Sequence, residues 1–169
     1  MTNGMKTPED KPQLSHISPQ GQARMVDVAD KPVTVREATA SALVTMRGAV
    51  LDALLAGTLP KGDALATARV AAILGAKRTS DLIPMCHPLP IDGIQVEFAR
   101  VDPERISVRC TVRATARTGV EMEALTGAAI AALTIYDMAK AADRGIVIGP
   151  IQLERKSGGR RGPYVRASQ

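Results

Sequence analysis

The stretch TGVEMEALTGAAIAALTIYDMAKAADR, at residues 118–144, decides the fold that we expect of this chain. Alanine, leucine and isoleucine dominate it, proline is absent from it, and Gly145 follows its basic last turn. These features predict a helix of about six to seven turns. Because so few of its positions are polar, the helix must bury most of its surface, and we expect the other elements to pack around it.

The charged side chains on this otherwise apolar helix need a reason. At about 100° per residue, Glu123, Ile130 and Asp137 fall on nearly the same side, and Lys140 lies one turn beyond Asp137. Asp137 and Lys140 form either an ordinary surface ion pair or a partly desolvated acid–base pair at a functional site. The apolar residues around the pair, among them Met138, favour the second interpretation, although chemistry alone leaves both open.

Acidic residues occupy the sequence positions of helix caps. Thr118 and Glu121 have the T-x-x-E spacing of a capping box, so Glu121 considered alone is predicted to cap the long helix. Asp63 precedes a second alanine-rich segment, residues 64–77, and is predicted to cap it. The last turn of that segment holds Lys77, a cation that complements the helix dipole.

The composition suits one globular domain with a core of small side chains. The chain has 169 residues, of which 45% are hydrophobic and only 2% aromatic. The core must therefore be built from alanine, valine, isoleucine, leucine and methionine, and small side chains bury little area each. A stabilising contribution from a subunit interface is plausible for such a core.

The charge and the cysteines restrict the partner and the compartment. A net charge of +5 and an isoelectric point near 9.6 indicate an anionic partner, a class that includes nucleotides, nucleic acids and phosphorylated metabolites. Cys86 and Cys110 are too few for a disulfide framework or a CxxC metal site. No apolar run reaches the roughly 18 residues of a membrane span, and residues 1–13 lack the apolar core of a signal peptide. We therefore expect a cytoplasmic protein with a disordered N-terminal leader.

Alternating apolar and polar residues predict several strands. Residues 94–99 and 106–116 are expected to pair as an antiparallel hairpin. Residues 145–154 are expected to form a final strand, with Pro150 at an edge or a bulge, and residues 23–28 also have strand character. Together with the helices, these strands predict an α+β fold.

Side chains of chemical interest lie in loops bounded by proline and glycine. Lys61 lies in TLPKG at 58–62, where a lysine is usually only solvated. His87 lies among three prolines between residues 84 and 90, which fix the backbone and make His87 a candidate donor or proton shuttle. Cys86 is adjacent, but neighbours in extended backbone point to opposite faces, so a Cys–His nucleophile is disfavoured.

The basic segment RKSGGRRGPYVR, residues 155–166, has two interpretations that remain open. It is either a flexible RNA-binding arm or a Lys-Ser-Gly-Gly loop that holds a phosphate. Two other classes of protein compete as interpretations of the whole chain, a nucleic-acid-binding protein and a nucleotide hydrolase. The near absence of aromatic stacking residues disfavours the first, and the lack of a Gly-rich Walker loop disfavours the second.

A series of motifs, taken in order along the chain, carries a resemblance to a known family. They are LSHI at 14–17, MVDV at 25–28, TVREA at 34–38, KGD at 61–63, ATAR at 66–69, AKRTSDLIPMCHPL at 76–89, TGVEMEALT at 118–126, ALTIYDMAKA at 132–141 and KSGG at 156–159. Together they resemble the cyclic pyranopterin monophosphate synthase family, which acts in molybdenum cofactor biosynthesis.

The resemblance implies a lyase that converts the 3',8-cyclised dihydro-GTP made by a preceding radical enzyme to cyclic pyranopterin monophosphate and diphosphate. It implies a ferredoxin-like antiparallel sheet packed against helices, one catalytic domain at residues 14–159, and a flexible basic tail at 160–169. It also implies a homohexamer, a trimer of dimers with sites at the dimer interface, without nucleic-acid or membrane partners. No cofactor is expected, although Mg²⁺ can accompany the triphosphate.

Carried over residue by residue, the resemblance also implies a site. Asp137 and Lys140 would be the catalytic pair, and Lys61 the essential loop lysine. Asp27 and Arg36 would bind substrate from a second subunit. The remaining substrate-binding residues would be Met85, Cys86, His87, Glu121, Met122, Glu123, Lys77 and Lys156.

Overall fold

The structure, a computed structural model, describes residues 20–160 and 162–167. Its elements, in chain order, are the strand β1 (Thr34–Thr45), the helices α1 (Gly48–Leu55), α2 (Ala64–Lys77) and α3 (Thr79–Leu82), the strands β2 (Ile91–Asp102) and β3 (Arg105–Ala116), the helix α4 (Glu121–Ala139), and the strands β4 (Val147–Ser157) and β5 (Tyr164–Val165). None of the helices in these ranges is long and apolar enough to cross a membrane. The predicted leader at 1–13 and the motif at 14–17 lie outside the described residues.

The strands form one antiparallel sheet in the order β2-β3-β1-β4-β5. For the first four strands, the chain order β-α-β-β-α-β and the central position of β1 and β3 are those of a ferredoxin-like fold, so the predicted fold class is confirmed. β2 and β3 pair as the predicted hairpin. The sequence predicts a flexible tail from residue 160, whereas Tyr164 and Val165 pair with the end of β4 and belong to the sheet.

The helices pack on a sheet face that is built from small residues. The inward positions of β1 include Ala38, Ala40 and Ala42, all of them buried. A Cβ added to Gly127 of α4 would lie 2.6 Å from Sγ of Cys110, and one added to Gly75 of α2 would lie 2.8 Å from Cγ1 of Ile130. Because side chains are short at these contacts, α4 approaches both the sheet and α2 closely. The core is therefore dense without aromatic residues.

The helix α4 begins without the predicted cap. Its N-cap residue is Val120, which makes no side-chain hydrogen bond, so the predicted capping box of Thr118 and Glu121 is wrong. The carboxylate of Glu121 pairs with Lys156, near the end of β4, instead. The ammonium group of Lys156 is a stronger hydrogen-bond partner for the Glu121 carboxylate than a backbone N–H of the helix would be.

The helix also ends earlier than predicted, at Ala139 rather than near residue 144. Asp143 fixes the turn that follows: one carboxylate oxygen accepts a hydrogen bond from the N–H of Gly145 and the other from the N–H of Arg47, each at 2.9 Å. Arg47 directly precedes α1, so Asp143 supplies a negative charge to the start of that helix. Lys140 therefore lies at the C-cap of α4, not inside the helix.

The predicted strand at residues 23–28 is wrong. Ala23 forms an isolated bridge, and the rest of the segment has no regular structure. The next strand, β1, pairs with β3 on one side and with β4 on the other, so it leaves no edge for this segment. Val26 and Val28 line a pocket instead.

Local predictions elsewhere in the chain are confirmed. Asp63 Oδ1 accepts a hydrogen bond from the N–H of Ala66 at 2.9 Å and caps α2. Pro150 lies in β4 where the pairing with β1 shifts register, on a stretch to which β5 does not extend. Both positions follow from short-range backbone chemistry, which the sequence displays directly.

Candidate active site

A pocket of about 760 Å³ lies at the end of the sheet where β1 and α4 begin. Its walls come from the segment before β1, the loop between α3 and β2, the first turn of α4 and the loop after β4. Antiparallel pairing brings the end of β4 beside the start of β1, as the pairing of Glu37 with Ser157 shows. The predicted site residues that line this pocket are Arg36, Met85, Cys86, His87, Glu121, Met122, Glu123 and Lys156.

Arg36 is a buried cation in this pocket. Its residue is 9% exposed, and its Nε and Nη2 atoms donate only long hydrogen bonds, of 3.4 Å each, to the carbonyl oxygens of Ala116 and Arg117. No carboxylate within residues 20–160 and 162–167 pairs with it. Because a buried charge without a counter-ion is costly, this guanidinium is prepared for an anionic ligand. It lies among pocket residues of its own chain, whereas the resemblance implies a residue from a second subunit.

Further positive charge lines the pocket. Lys156 Nζ lies 3.2 Å from Glu121 Oε1, with both side chains half-buried, so Glu121 holds this lysine against the first turn of α4. Lys31, Arg117 and Arg160 also line the pocket, and the sequence reasoning missed them. Arg160 directly follows the KSGG motif and Arg117 directly precedes the TGVEMEALT motif, and these positions are the signal that would have found the two arginines.

Glu123 is the buried carboxyl of the pocket. The residue is 4% exposed, and its Oε2 atom has no hydrogen-bond partner among residues 20–160 and 162–167. Thr34 Oγ1 is a second buried atom without a hydrogen-bond partner in the described part of the chain, and its residue lines the same pocket. Burial raises the pKa of Glu123 to about 7, and the negative charge of Glu121 adds to the shift. At neutral pH the carboxyl is therefore divided between a form that donates a proton and a form that accepts one.

Cys86 and His87 both line the pocket, but the thiol is not activated. Burial raises the pKa of Cys86, and the negative charge of Glu123 raises it further. A thiol with a raised pKa is a poor nucleophile at neutral pH, in agreement with the sequence-based argument against a Cys–His nucleophile. Across the described ranges of the chain, no group of three or more His, Cys, Asp or Glu residues could hold a metal ion.

Asp137, Lys61 and Lys140 form a second cluster, at the other end of α4. Asp137 Oδ2 lies 2.7 Å from Lys61 Nζ, and Oδ1 lies 2.7 Å from Lys140 Nζ. Lys61 Nζ also donates to the backbone oxygen of Asp137 at 2.9 Å. Hydrogen bonds from Lys140 and Lys61 lower the pKa of Asp137 to about 2, and Asp137 in turn raises the pKa of Lys140. One carboxylate thus holds two ammonium groups.

This cluster is exposed in the single chain, so of the two interpretations left open by the sequence, the chain alone fits the surface ion pair. The side chains of Lys61, Asp137 and Lys140 are 42%, 55% and 50% exposed. Asp137 lies on the side of α4 that faces away from the sheet. This outward stripe consists of Met122, Thr126, Ala129, Leu133 and Asp137, all of them exposed or half-exposed.

The pocket and the cluster are separate within one chain, because none of the three cluster residues lines the pocket. Glu123 and Asp137 are 14 positions apart, which is about 21 Å along a straight helix. Lys77 is exposed at the end of α2 and does not line the pocket either. Asp27 is also exposed and outside the lining, and its Oδ1 accepts a hydrogen bond from the N–H of Ala29 at 2.8 Å.

The fold and the pocket together define a ferredoxin-like α+β protein with a concave, positively charged site for a small polar ligand. Over residues 25–159 the sequence matches the MoaC family. The chain belongs to this family.

Relatives with assigned names are similar to nearly the whole chain. A cyclic pyranopterin monophosphate synthase of Herpetosiphon aurantiacus is 57% identical over 152 residues, which cover 89% of this chain and 93% of the relative. Cyclic pyranopterin monophosphate synthase 1 of Mycobacterium tuberculosis is 52% identical over 155 residues, or 92% of this chain and 91% of the relative. A cyclic pyranopterin monophosphate synthase of Streptomyces coelicolor is 51% identical over 160 residues, which cover 95% of this chain and 92% of the relative.

Proposed function

We propose that this chain acts as a cyclic pyranopterin monophosphate synthase, a lyase that converts the 3',8-cyclised dihydro-GTP to cyclic pyranopterin monophosphate and diphosphate in molybdenum cofactor biosynthesis. The observation that carries the proposal is the buried guanidinium of Arg36, without a counter-ion, in a pocket of a chain that is 51–57% identical to enzymes of this name. A triphosphate would supply the negative charge that pairs with the guanidinium of Arg36.

The phosphate groups would lie at the side of the pocket formed by Arg36, Lys156 and Arg160. Positive charge that is already in place stabilises the negative charge that develops on the departing diphosphate, and it costs no reorganisation during the reaction. Arg36 contributes most per residue, because it is buried and water screens it least.

The guanine-derived ring would lie at the side of the pocket formed by His87, Met122 and Glu123. A guanine-type ring presents N–H donors along one edge, and Glu123 Oε2 is a buried acceptor without a partner. Binding would then favour the ionised form of a carboxyl whose pKa is raised to about 7 in the free chain. Met122 adds apolar contact for the ring.

Proton transfers would fall to Asp137, Lys140 and Lys61. Rearranging a purine into a pterin requires protons to move on and off nitrogen and oxygen, and an ammonium group held by a carboxylate can donate one at a fixed position. Asp137 holds Lys140 and Lys61 through separate carboxylate oxygens, so two donors are oriented by one anion. Desolvation of the cluster would lower the pKa of the lysines towards the range in which they also accept protons.

A second subunit would bring the cluster to the pocket. Met122 and Asp137 lie at nearly equal distances from Ala129, at the middle of the outward stripe. If two α4 helices pack antiparallel about a two-fold axis near Ala129, Met122 of one subunit lies at the height of the partner's Asp137, with the helix axes about 8–10 Å apart. Each dimer would then contain two complete sites, and three dimers would form the implied hexamer.

The exposed apolar surface of the outward stripe supports this arrangement. Leu133 is 54% exposed and Met122 is 36% exposed, although both belong to the helix on which the core is built. Packing against a second copy would bury both side chains and would also remove water from Asp137 and Lys140. The same contact would therefore stabilise a small-residue core and complete the site.

Two finer points belong to the same proposal. We propose that any Mg²⁺ enters with the triphosphate, since the described residues offer no metal-binding group of three or more ligands. We also propose that the enzyme works in the cytoplasm, where thiols such as those of Cys86 and Cys110 remain reduced.

A direct conversion assay tests the function. The purified protein is incubated with the 3',8-cyclised dihydro-GTP, the mixture is oxidised, and the fluorescent pterin derived from the product is quantified together with released diphosphate. Formation of both in equal amounts is expected. A protein that binds the triphosphate but yields neither product would overturn the proposal.

A further inference from the structure

Two consecutive glycines follow β4 and contact the start of β1. Gly158 and Gly159 have φ angles of +86° and +82°, in the left-handed region that favours glycine. A Cβ added to Gly158 would overlap the carbonyl oxygen of Val35. A Cβ added to Gly159 would overlap Nη1 of Arg36 and would also lie 2.9 Å from its Cζ. The guanidinium therefore occupies the space that any other residue at position 159 would need.

Backbone conformation alone does not explain Gly159. Gly57, Gly62 and Gly162 also have positive φ angles, of +68°, +89° and +68°, but a Cβ added to any of them would meet no atom of the described residues within 4 Å. Gly162 lies only three residues away on the same loop. The difference at Gly159 is the side chain of Arg36.

The hydrogen bonds of Arg36 do not hold its guanidinium firmly. Both are 3.4 Å long, and they use Nε and Nη2. Nη1, the nitrogen that faces Gly159, donates no hydrogen bond within residues 20–160 and 162–167. What limits the position of Nη1 is therefore the backbone of the glycine loop packed against it.

We infer that Gly159 is a positioning residue for the phosphate-binding step: its missing side chain lets the loop after β4 close over Arg36 and keeps Nη1 directed into the pocket. The inference rests on the proposed function in one respect, namely that Arg36 binds a phosphate of the substrate or product. The ligand class is a diphosphate or a longer polyphosphate chain, because Lys156 at the end of β4 and Arg160 on the loop after it add two further cations around the same space.

The test measures binding of inorganic pyrophosphate by calorimetry to five full-length proteins: wild type, Arg36→Ala, Gly159→Ala, Gly162→Ala, and the double variant Gly159→Ala with Arg36→Ala. Gly162→Ala is the matched control, because it places an alanine at a similar positive φ without meeting Arg36. We expect Gly159→Ala to bind pyrophosphate at least about tenfold more weakly than wild type, the size of one lost charge-assisted hydrogen bond. Gly162→Ala should stay within about twofold of wild type.

The double variant separates positioning from a general effect on the loop. Once Arg36 is removed, an alanine at position 159 has nothing to displace, so the double variant should bind within about twofold of Arg36→Ala alone. If Gly159→Ala folds poorly, the double variant should regain part of the lost thermal midpoint, because the overlapping group is gone while the positive φ at position 159 remains. A double variant that remains unfolded overturns the inference.

The remaining outcomes distinguish this inference from the proposed function. If Arg36→Ala weakens binding but Gly159→Ala behaves like Gly162→Ala, the positioning role of Gly159 is wrong and the phosphate site stands. If Gly159→Ala weakens binding equally with and without Arg36, the glycine acts through the loop and the inference is wrong. If Arg36→Ala binds pyrophosphate as wild type does, both the inference and the assigned role of Arg36 are overturned.

Discussion

Lys61 Nζ lies 2.7 Å from Asp137 Oδ2, although 76 residues separate them in the chain. The contact exists because α2 and α4 run antiparallel, which brings the loop before α2 to the end of α4. Lys140, three residues after Asp137, binds the other carboxylate oxygen at 2.7 Å. The cluster is complete within one chain, yet the pocket that it would serve is at the opposite end of the same helix.

Asp137→Asn and Lys140→Ala should each lower turnover to less than about a tenth of wild type, a loss of at least about 1.4 kcal/mol of transition-state stabilisation. Both side chains are exposed, so far-ultraviolet circular dichroism and the thermal midpoint should change little. Asp52→Asn is the matched control, since Asp52 is an exposed helical acid that pairs with Arg100 at 2.7 Å, and it should keep normal turnover. Loss of folding in the Asp137 variant would identify a structural pair instead.

Mixing two inactive variants should restore activity if sites are shared between subunits. In a hybrid dimer of Arg36→Ala and Lys140→Ala chains, one site carries both defects and the other carries none. Random pairing makes half of the dimers hybrids, so roughly a quarter of wild-type activity should return. Mass measurement confirms subunit exchange. Activity that stays at the parental level after confirmed exchange would show that Arg36 and Lys140 act within one chain.

Leu133→Glu should dissociate the dimer and abolish turnover together, because it places a charge within the apolar part of the outward stripe. Val101→Glu is the matched control: Val101 is 52% exposed against 54% for Leu133, but it lies on β2, away from α4. Sedimentation measures the mass of both variants. If Leu133→Glu keeps the mass and turnover of wild type, the stripe is not the interface.

Glu123→Gln should change how stability depends on pH. The pKa of Glu123 is raised from 4.5 to about 7, so the folded state binds this proton more tightly than the unfolded state, and stability falls as pH rises through about 7. The glutamine variant lacks this titration and should be more stable than wild type at pH 8 by roughly 1–3 kcal/mol, with little difference below pH 4.5. Urea unfolding at several pH values measures this.

Asp143→Asn should have the opposite pH signature. Hydrogen bonds from the N–H groups of Arg47 and Gly145 lower the pKa of Asp143, so its contribution to stability is present above its usual pKa of 3.8 and is lost as pH falls below it. The variant should melt lower than wild type at pH 7 by about 2–4 °C, the shift that one lost contact causes in a chain of this length. The two melting curves should converge in acid. A constant difference at every pH would contradict the assignment.

The sequence by itself determined the local elements and the residue types of the site. Asp63 at the start of α2, the alternation in β2 and β3 and the alanine-rich α4 rest on interactions within a few residues, so their pattern is readable along the chain. The family motifs added the site residues, and eight of the thirteen line one pocket. The capping box predicted for Glu121 has the right local spacing, but Lys156, 35 residues later, is a stronger partner for its carboxylate.

Only the tertiary structure decided which groups are buried and which meet across long separations. Asp137 and Glu123 lie on one helix, yet one is exposed with a pKa lowered to about 2 and the other is buried with a pKa raised to about 7. The contact of Gly159 with Arg36 joins residues 123 positions apart, and no pattern along the chain marks it. Desolvation and steric exclusion depend on what packs against a group from distant segments, and that is decided when the sheet and helices assemble.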